Sequence, residues 1–159
     1  MRKHFLIILL ITAIITGGCT NNSYESPSKI AQQYSDDILY CFDNNDIQKL
    51  KTLFCESISQ SHDLENEIQT AFEFFDGNIV SKGKGIGMSE GGVLRENGKV
   101  SKLTVHPNLL YITTDTGAEY SIYFCAYLVY ENHSENIGIT YINVFNSDNE
   151  KISIGADII

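Results

Sequence analysis

Cys19 stands where a thiol can be covalently modified. It directly follows Thr16-Gly17-Gly18, which close an almost wholly apolar run from Phe5 to Ile15 behind the cationic start Arg2-Lys3. That order is the layout of a secretory signal peptide, and the apolar run is too short for a comfortable membrane span. A cysteine immediately after the small residues points to lipid attachment at Cys19, with palmitate-type acyl chains on the new N-terminal residue. Several chains make such an anchor stable, since each buried methylene contributes about 0.8 kcal/mol. Thr16 occupies the place where such signals usually carry Leu, so an ordinary cleaved signal peptide and an uncleaved N-terminal anchor are the competing readings.

The remaining chemistry-bearing residues form no catalytic or metal signature. Asp115-Thr116-Gly117-Ala118 matches the aspartic-protease tetrad, but one copy supplies one carboxylate, and Thr113-Thr114 are polar where that motif needs apolar packing. A hairpin turn with Gly117 at positive φ is the simpler expectation. Gly83-Lys84-Gly85-Ile86-Gly87 lacks the Gly-Lys-Ser/Thr of a phosphate loop and follows a helical region instead of opening one, so a loop at the rim of a sheet is expected. His62, His106 and His133 stand singly near loop residues, and Asp43–Asp46 lacks the alternation and glycine of a calcium loop. No catalytic residue, cofactor or metal ligand is assigned. Cys41, Cys55 and Cys125 sit among apolar residues and read as small buried hydrophobes; a Cys41–Cys55 bridge stays open. Tyr111, Tyr120, Tyr123, Tyr127, Tyr130 and Tyr141 fall in strand-like segments, where core packing or a semi-polar pocket would use them.

The elements that must position these residues follow from periodicity. Ser26-Pro27 reads as a helix cap and first turn, with Ile30, Tyr34, Ile38, Cys41 and Phe42 at helical spacing to about residue 43. Asp46 can cap a second helix bearing Ile47, Leu50, Leu53 and Phe54. Ser61 or Asp63 can cap a third, with Leu64, Ile68, Ala71, Phe72 and Phe75 inward and Asp76-Gly77 as its stop. Beyond residue 77 the period becomes two. Strands are expected over 78–84, 100–105, 109–114, 119–130, 137–145 and, briefly, 152–154, with His106-Pro107 separating the second from the third. The segment 119–130 is apolar on both faces and reads as central: Ile122, Phe124, Ala126 and Leu128 on one side, Tyr123, Cys125, Tyr127 and Val129 on the other, with helices against one face and a pocket or partner at the other. Helices first and consecutive strands after define an α+β domain with an antiparallel sheet.

The bulk numbers narrow the function classes. The expected organisation is a leader over 1–18, a tether over 19–27 and one domain over 28–159. Loss of the leader leaves nine basic against 20 acidic residues, a formal charge of about −11. So acidic a domain repels phosphate backbones and excludes nucleic acid as a partner; it also stands off an anionic lipid surface, leaving the lipid as the membrane contact.

Asp36-Asp37-Ile38, Phe42-Asp43-Asn44-Asn45-Asp46 and Leu50-Lys51-Thr52-Leu53-Phe54 resemble the opening of nuclear-transport-factor-2-like domains (the SnoaL/cystatin-like fold). Phe72-Glu73-Phe74-Phe75-Asp76-Gly77-Asn78-Ile79-Val80, with Tyr111–Thr114 and Asp115-Thr116-Gly117, resembles more narrowly a family of bacterial lipoproteins catalogued as domain of unknown function 5104. The likeness covers roughly residues 28–147. It implies N-terminal helices on a curved antiparallel sheet forming a cone, a fold that hosts binders, isomerases, dehydratases and structural modules. In the wider fold a His–Asp pair can act as general base, for which His106 and Asp115 are the candidates. The expected function is a non-enzymatic, extracytoplasmic binding domain on the cell membrane, lipid-anchored through Cys19, that takes a small molecule or a protein on the concave sheet face. The alternatives are an isomerase- or dehydratase-like enzyme, an immunity lipoprotein, or a homodimeric structural module.

Overall fold

The computed structural model describes residues 26–83, 87–89 and 91–158. Cys19, the leader and the tether up to residue 25 lie outside the described residues, as do Lys84, Gly85 and Ile86 of the glycine-rich stretch.

Among the described residues, four helices come first. α1 (Pro27–Asn44) starts as its residues dictate: Ser26 accepts the Lys29 N–H and Pro27 occupies the first turn. Asp46 caps α2 (Ile47–Thr52) by accepting from the Lys49 N–H at 2.9 Å. α3 (Glu56–Ser61) is a separate short helix that the apolar spacing did not reveal. Asp63, not Ser61, caps α4 (Leu64–Phe74). Gly77 does not end α4, whose cap is the extended Phe75. Its φ of +88° instead brings the chain so close to the later hairpin that a Cβ would lie 2.5 Å from Asp115 Oδ1.

Seven antiparallel strands follow: β1 (Ile79–Ser81), β2 (Gly87–Ser89), β3 (Val93–Glu96), β4 (Lys99–Thr114), β5 (Glu119–Tyr130), β6 (Gly138–Asn146) and β7 (Lys151–Gly155). The order is β4-β5-β6-β7, and β1, β2 and β3 all line the free side of β4. Gly87, the last residue of the glycine-rich stretch expected as a rim loop, opens the edge strand β2 on β4, and β3 follows it on the same side. The two strands expected around His106-Pro107 are one. β4 runs through the proline, with Val105 facing Ala126 before it and Asn108 facing Tyr123 after it. A sixteen-residue strand has ladder enough on either side to absorb one missing donor, which costs about 1 kcal/mol. The strand breaks its register further on, where Tyr111 takes φ +58° in a bulge and points its ring into solvent at 73% exposure.

The core lies between the helices and one face of this sheet. Ile38, Leu50 and Ile68 from the helices meet Ile112, Ile122, Phe124, Ala126, Ile142, Val144 and Ile154 from the strands, all essentially inaccessible to water. Phe42 packs edge-on to Phe72 and Phe75, and Phe75 stacks on Tyr120 at 4.3 Å between ring centres. The expected inward set of β5 is thus observed, with Leu128 half-buried against the same core. Thr140 is fully buried at a bulge in β6, where its hydroxyl lies beside the Cys125 thiol and has no well-formed hydrogen-bond partner among the described residues.

Candidate functional site

Strand alternation sends a second set of side chains to the opposite face, which the helical core does not include. β5 places Ser121 and Tyr123 there, and β6 places Tyr141, Asn143 and Phe145. Pairing brings Tyr123 opposite Asn143 and Ser121 opposite Phe145. Tyr123 and Phe145 meet edge-to-face at 5.4 Å. On β7, Ser153 lies opposite Asn143 and donates its hydroxyl hydrogen to Asn143 Oδ1 at 2.7 Å. That bond holds the amide by its oxygen. Asn146 is committed to the β6–β7 turn: Oδ1 accepts the Asp148 and Glu150 N–H groups and Nδ2 donates to Glu150.

These residues enclose a cleft of about 450 Å³, lined by Ser121, Tyr123, Tyr141, Asn143, Phe145, Asn146 and Asn149. A second cleft of about 320 Å³ shares Tyr141 and Asn143 with it and continues over Ser153 and Gly155 to Asp157. Together they form one groove across β5, β6 and β7. Burial holds the Tyr141 hydroxyl above its ordinary pKa, so it remains a neutral donor.

The helix side differs. The space closed between α1 and the sheet, bordered by Gln32, Asp36, Leu39, Leu109 and Ile112, is about 80 Å³, and Lys82 pairs with Asp36 at 3.1 Å beside it. Clefts that hold small ligands are typically about 300–1,000 Å³. A shallow groove of about 420 Å³ also runs between α1 and β1, past Tyr40, Asp43 and Val80.

The sequence candidates separate in space. Asp115 is a clamp: its two carboxylate oxygens accept the Asn78 backbone N–H at 2.8 Å and side-chain NH2 at 3.0 Å, and these bonds lower its pKa. Gly117 takes the positive φ, +85°, that the turn demands. His106 sits mid-strand and Asp115 beyond the strand end, nine residues on, which at about 3.3 Å per residue is on the order of 25–30 Å. The two cannot share a proton. His106 Nε2 lies 3.9 Å from Cys125 Sγ instead. His62 pairs with Glu67 at 2.8 Å, and the other oxygen of Glu67 accepts the Gly155 N–H, tying α4 to β7. His133 pairs with Glu135 and tilts against Tyr130.

Cys41, Cys55 and Cys125 are free and buried, and the Cys41–Cys55 bridge is not formed. Burial pushes the Cys41 and Cys125 thiols up to about 11 and raises Cys55 as well, the opposite of what a nucleophile requires. Among the described residues, no three His, Cys, Asp or Glu side chains are arranged to hold a metal ion, and no helix is long and apolar enough to cross a membrane.

The six strand tyrosines divide by role. Tyr120 is structural, accepting the Asp76 N–H and donating to the Phe74 carbonyl. Tyr127 is buried, stacks on Tyr130 with Lys102 over both rings, and donates to the Ile158 carbonyl. Only Tyr123 and Tyr141 line the groove. Asn143 and Phe145 were not singled out from sequence, although the alternation Tyr141, Asn143, Phe145 on a strand flanked by aliphatic positions carries the signal.

The molecule is thus an α+β domain whose space between α1 and the central sheet is small and whose outer face carries an uncovered aromatic and amide groove. The chain belongs to the family described as Domain of unknown function (DUF5104), whose model matches residues 37–147. No curated protein matches the chain.

Proposed function

We propose that this protein is a non-enzymatic binding domain displayed on the extracytoplasmic face of the cell membrane, held there by lipid on Cys19, and that its fold is a member of the nuclear-transport-factor-2-like cones. Support for the anchor comes from the cationic start, the apolar run and the small residues before Cys19. Support for the cone comes from the order of helices before consecutive antiparallel strands. The observation that carries the binding reading is the outer groove, where aromatic faces and an amide held by Ser153 stand uncovered on β5 and β6 while Ile122, Ile142 and Val144 of the same strands turn inward. The expected concave binding face gives way in this reading to the outer face, because the helix side is filled by side chains. The same filling speaks against an acid–base enzyme with its substrate in the cone.

The test has two parts, both on protein from its host. Mass spectrometry of the N-terminal peptide is expected to show an acylated Cys19, and Cys19→Ala is expected to move the protein from the membrane to the soluble fraction. A photo-crosslinking phenylalanine at position 145 is expected to capture an adduct in intact cells, and the same group at Val80 is expected to capture none. An unmodified Cys19 thiol would overturn the anchor. Equal labelling at the two positions, or none at 145, would overturn the binding face.

A further inference from the structure

We infer that the outer groove binds a neutral carbohydrate chain, a short run of pyranose rings. This rests on the preceding reading that the outer face is the binding face, and names its ligand class.

Charge is the first discriminator. In a chain of formal net charge −9, the seven residues lining the larger cleft include no Lys, Arg, Asp or Glu. An anionic ligand would find no cation there and would meet the field of an acidic domain. A cationic ligand would find no carboxylate among those seven residues: Glu150 at the rim is already engaged by Asn146, and Asp157 lies at the far end of the adjoining cleft. The ligand that fits is uncharged.

Surface chemistry is the second. Tyr123, Tyr141 and Phe145 offer ring faces and edges, on which the weakly positive C–H bonds of a sugar ring pack favourably. Between them Asn143 presents an NH2 group whose carbonyl partner is already held by Ser153, so the donor is oriented before a ligand arrives. Tyr hydroxyls, Ser121 and Asn149 supply further neutral donors and acceptors. A purely apolar ligand such as an acyl chain would leave these polar groups unpaired, at a cost of about 1–3 kcal/mol each.

Dimensions are the third. The two clefts are joined through Tyr141 and Asn143 and extend across three strands, so the site is elongated and shallow. That suits a chain of rings lying along the surface. A protein partner would engage about 20–30 residues a side, about two to three times the lining of this groove.

The experiment uses the full chain in micelles of a detergent without a sugar headgroup, titrated with cellotetraose, chitotetraose and maltotetraose and followed by saturation-transfer NMR and calorimetry. At least one is expected to bind with Kd below about 1 mM, and a sulfated tetrasaccharide at least about tenfold more weakly. Phe145→Ala and Tyr141→Ala are each expected to weaken binding about tenfold, while Tyr111→Ala, at the distant bulge, changes it less than about twofold. Asn143→Leu, close in size, repeats the test should either aromatic variant lose its fold. Absence of binding by all three sugars at about 10 mM, or binding indifferent to the groove substitutions, would overturn the inference. A protein adduct at position 145 without sugar binding would overturn this inference and leave the binding face standing. No adduct and no sugar binding would overturn both.

Discussion

The two faces of the sheet are made by the same strands and obey opposite rules. On β6, Ile142 and Val144 turn toward the helices and are inaccessible, while Tyr141, Asn143 and Phe145 turn away and stay half-exposed. Burying an aliphatic side chain contributes about 1.5–3 kcal/mol, so the first face carries the stability. On the second face Cys125 and Tyr127 are buried further along β5, but the groove residues are only partly buried, and Asn143 among them is held by Ser153. Period-two alternation thus separates holding the fold from presenting a surface, and either face can change with limited effect on the other.

Truncation on each face breaks or sharpens that contrast. Phe124→Ala, from the centre of the helix-side core, is expected to cost about 3–5 kcal/mol in chemical denaturation. Phe145→Ala, one strand away on the outer face, is expected to cost less than about 1 kcal/mol, the scale of a cross-strand aromatic pair. Comparable losses would show that the outer face is part of the core.

Gly77→Ala tests how the helices are latched to the hairpin beyond the sheet. The new Cβ would force both a strained φ and a displaced Asp115, and a loss of about 1–3 kcal/mol is expected in thermal or urea unfolding. No change would mean that the loop relaxes freely and the latch is dispensable. Thr140→Val should act in the other direction. It removes a buried hydroxyl whose nearest partner is the weakly bonding Cys125 thiol and keeps the shape, so stability is expected to rise by about 1 kcal/mol, and a fall would show that the thiol satisfies that hydroxyl.

The smallest expected effect is a pH dependence. Asn78 holds the Asp115 carboxyl below its ordinary value, so the folded state favours the ionised form. Its contribution is therefore present above the unfolded-state pKa of about 3.8 and is lost as pH falls through the lower folded value. Asp115→Asn is expected to flatten the acid limb of stability below about pH 4 and leave the neutral-to-alkaline range parallel to the parent. An unchanged acid limb would show that the clamp is not coupled to folding.

Much of this was legible in the sequence, for physical reasons. Ser26-Pro27 and Asp46 cap where their side chains can reach free N–H groups, and β5 shows its inward set because its aliphatic positions alternate without interruption. α3 was missed because six residues give too few turns for an apolar stripe. Pro107 suggested a break that pairing along a long strand overrides. The β3–β4 hairpin was legible but unread: Asn97-Gly98, both at positive φ, is the preferred two-residue turn. The groove was half-legible. Tyr123 and Tyr141 drew attention as strand tyrosines, but only the register of β5 on β6 and β6 on β7 puts Asn143, Phe145 and Ser153 beside them. The pairing of His106 with Asp115 failed on distance alone, since an extended strand carries the two apart.

The most direct measurement takes Phe145→Ala through both halves of the account at once. Its unfolding free energy is compared with that of the parent chain, and binding of the neutral tetrasaccharides is measured on the same preparation. Stability within about 1 kcal/mol of the parent together with a roughly tenfold weaker sugar affinity is the expected result. A variant as unstable as Phe124→Ala, or one that keeps full affinity, would contradict the division between a face that holds the fold and a face that recognises a ligand.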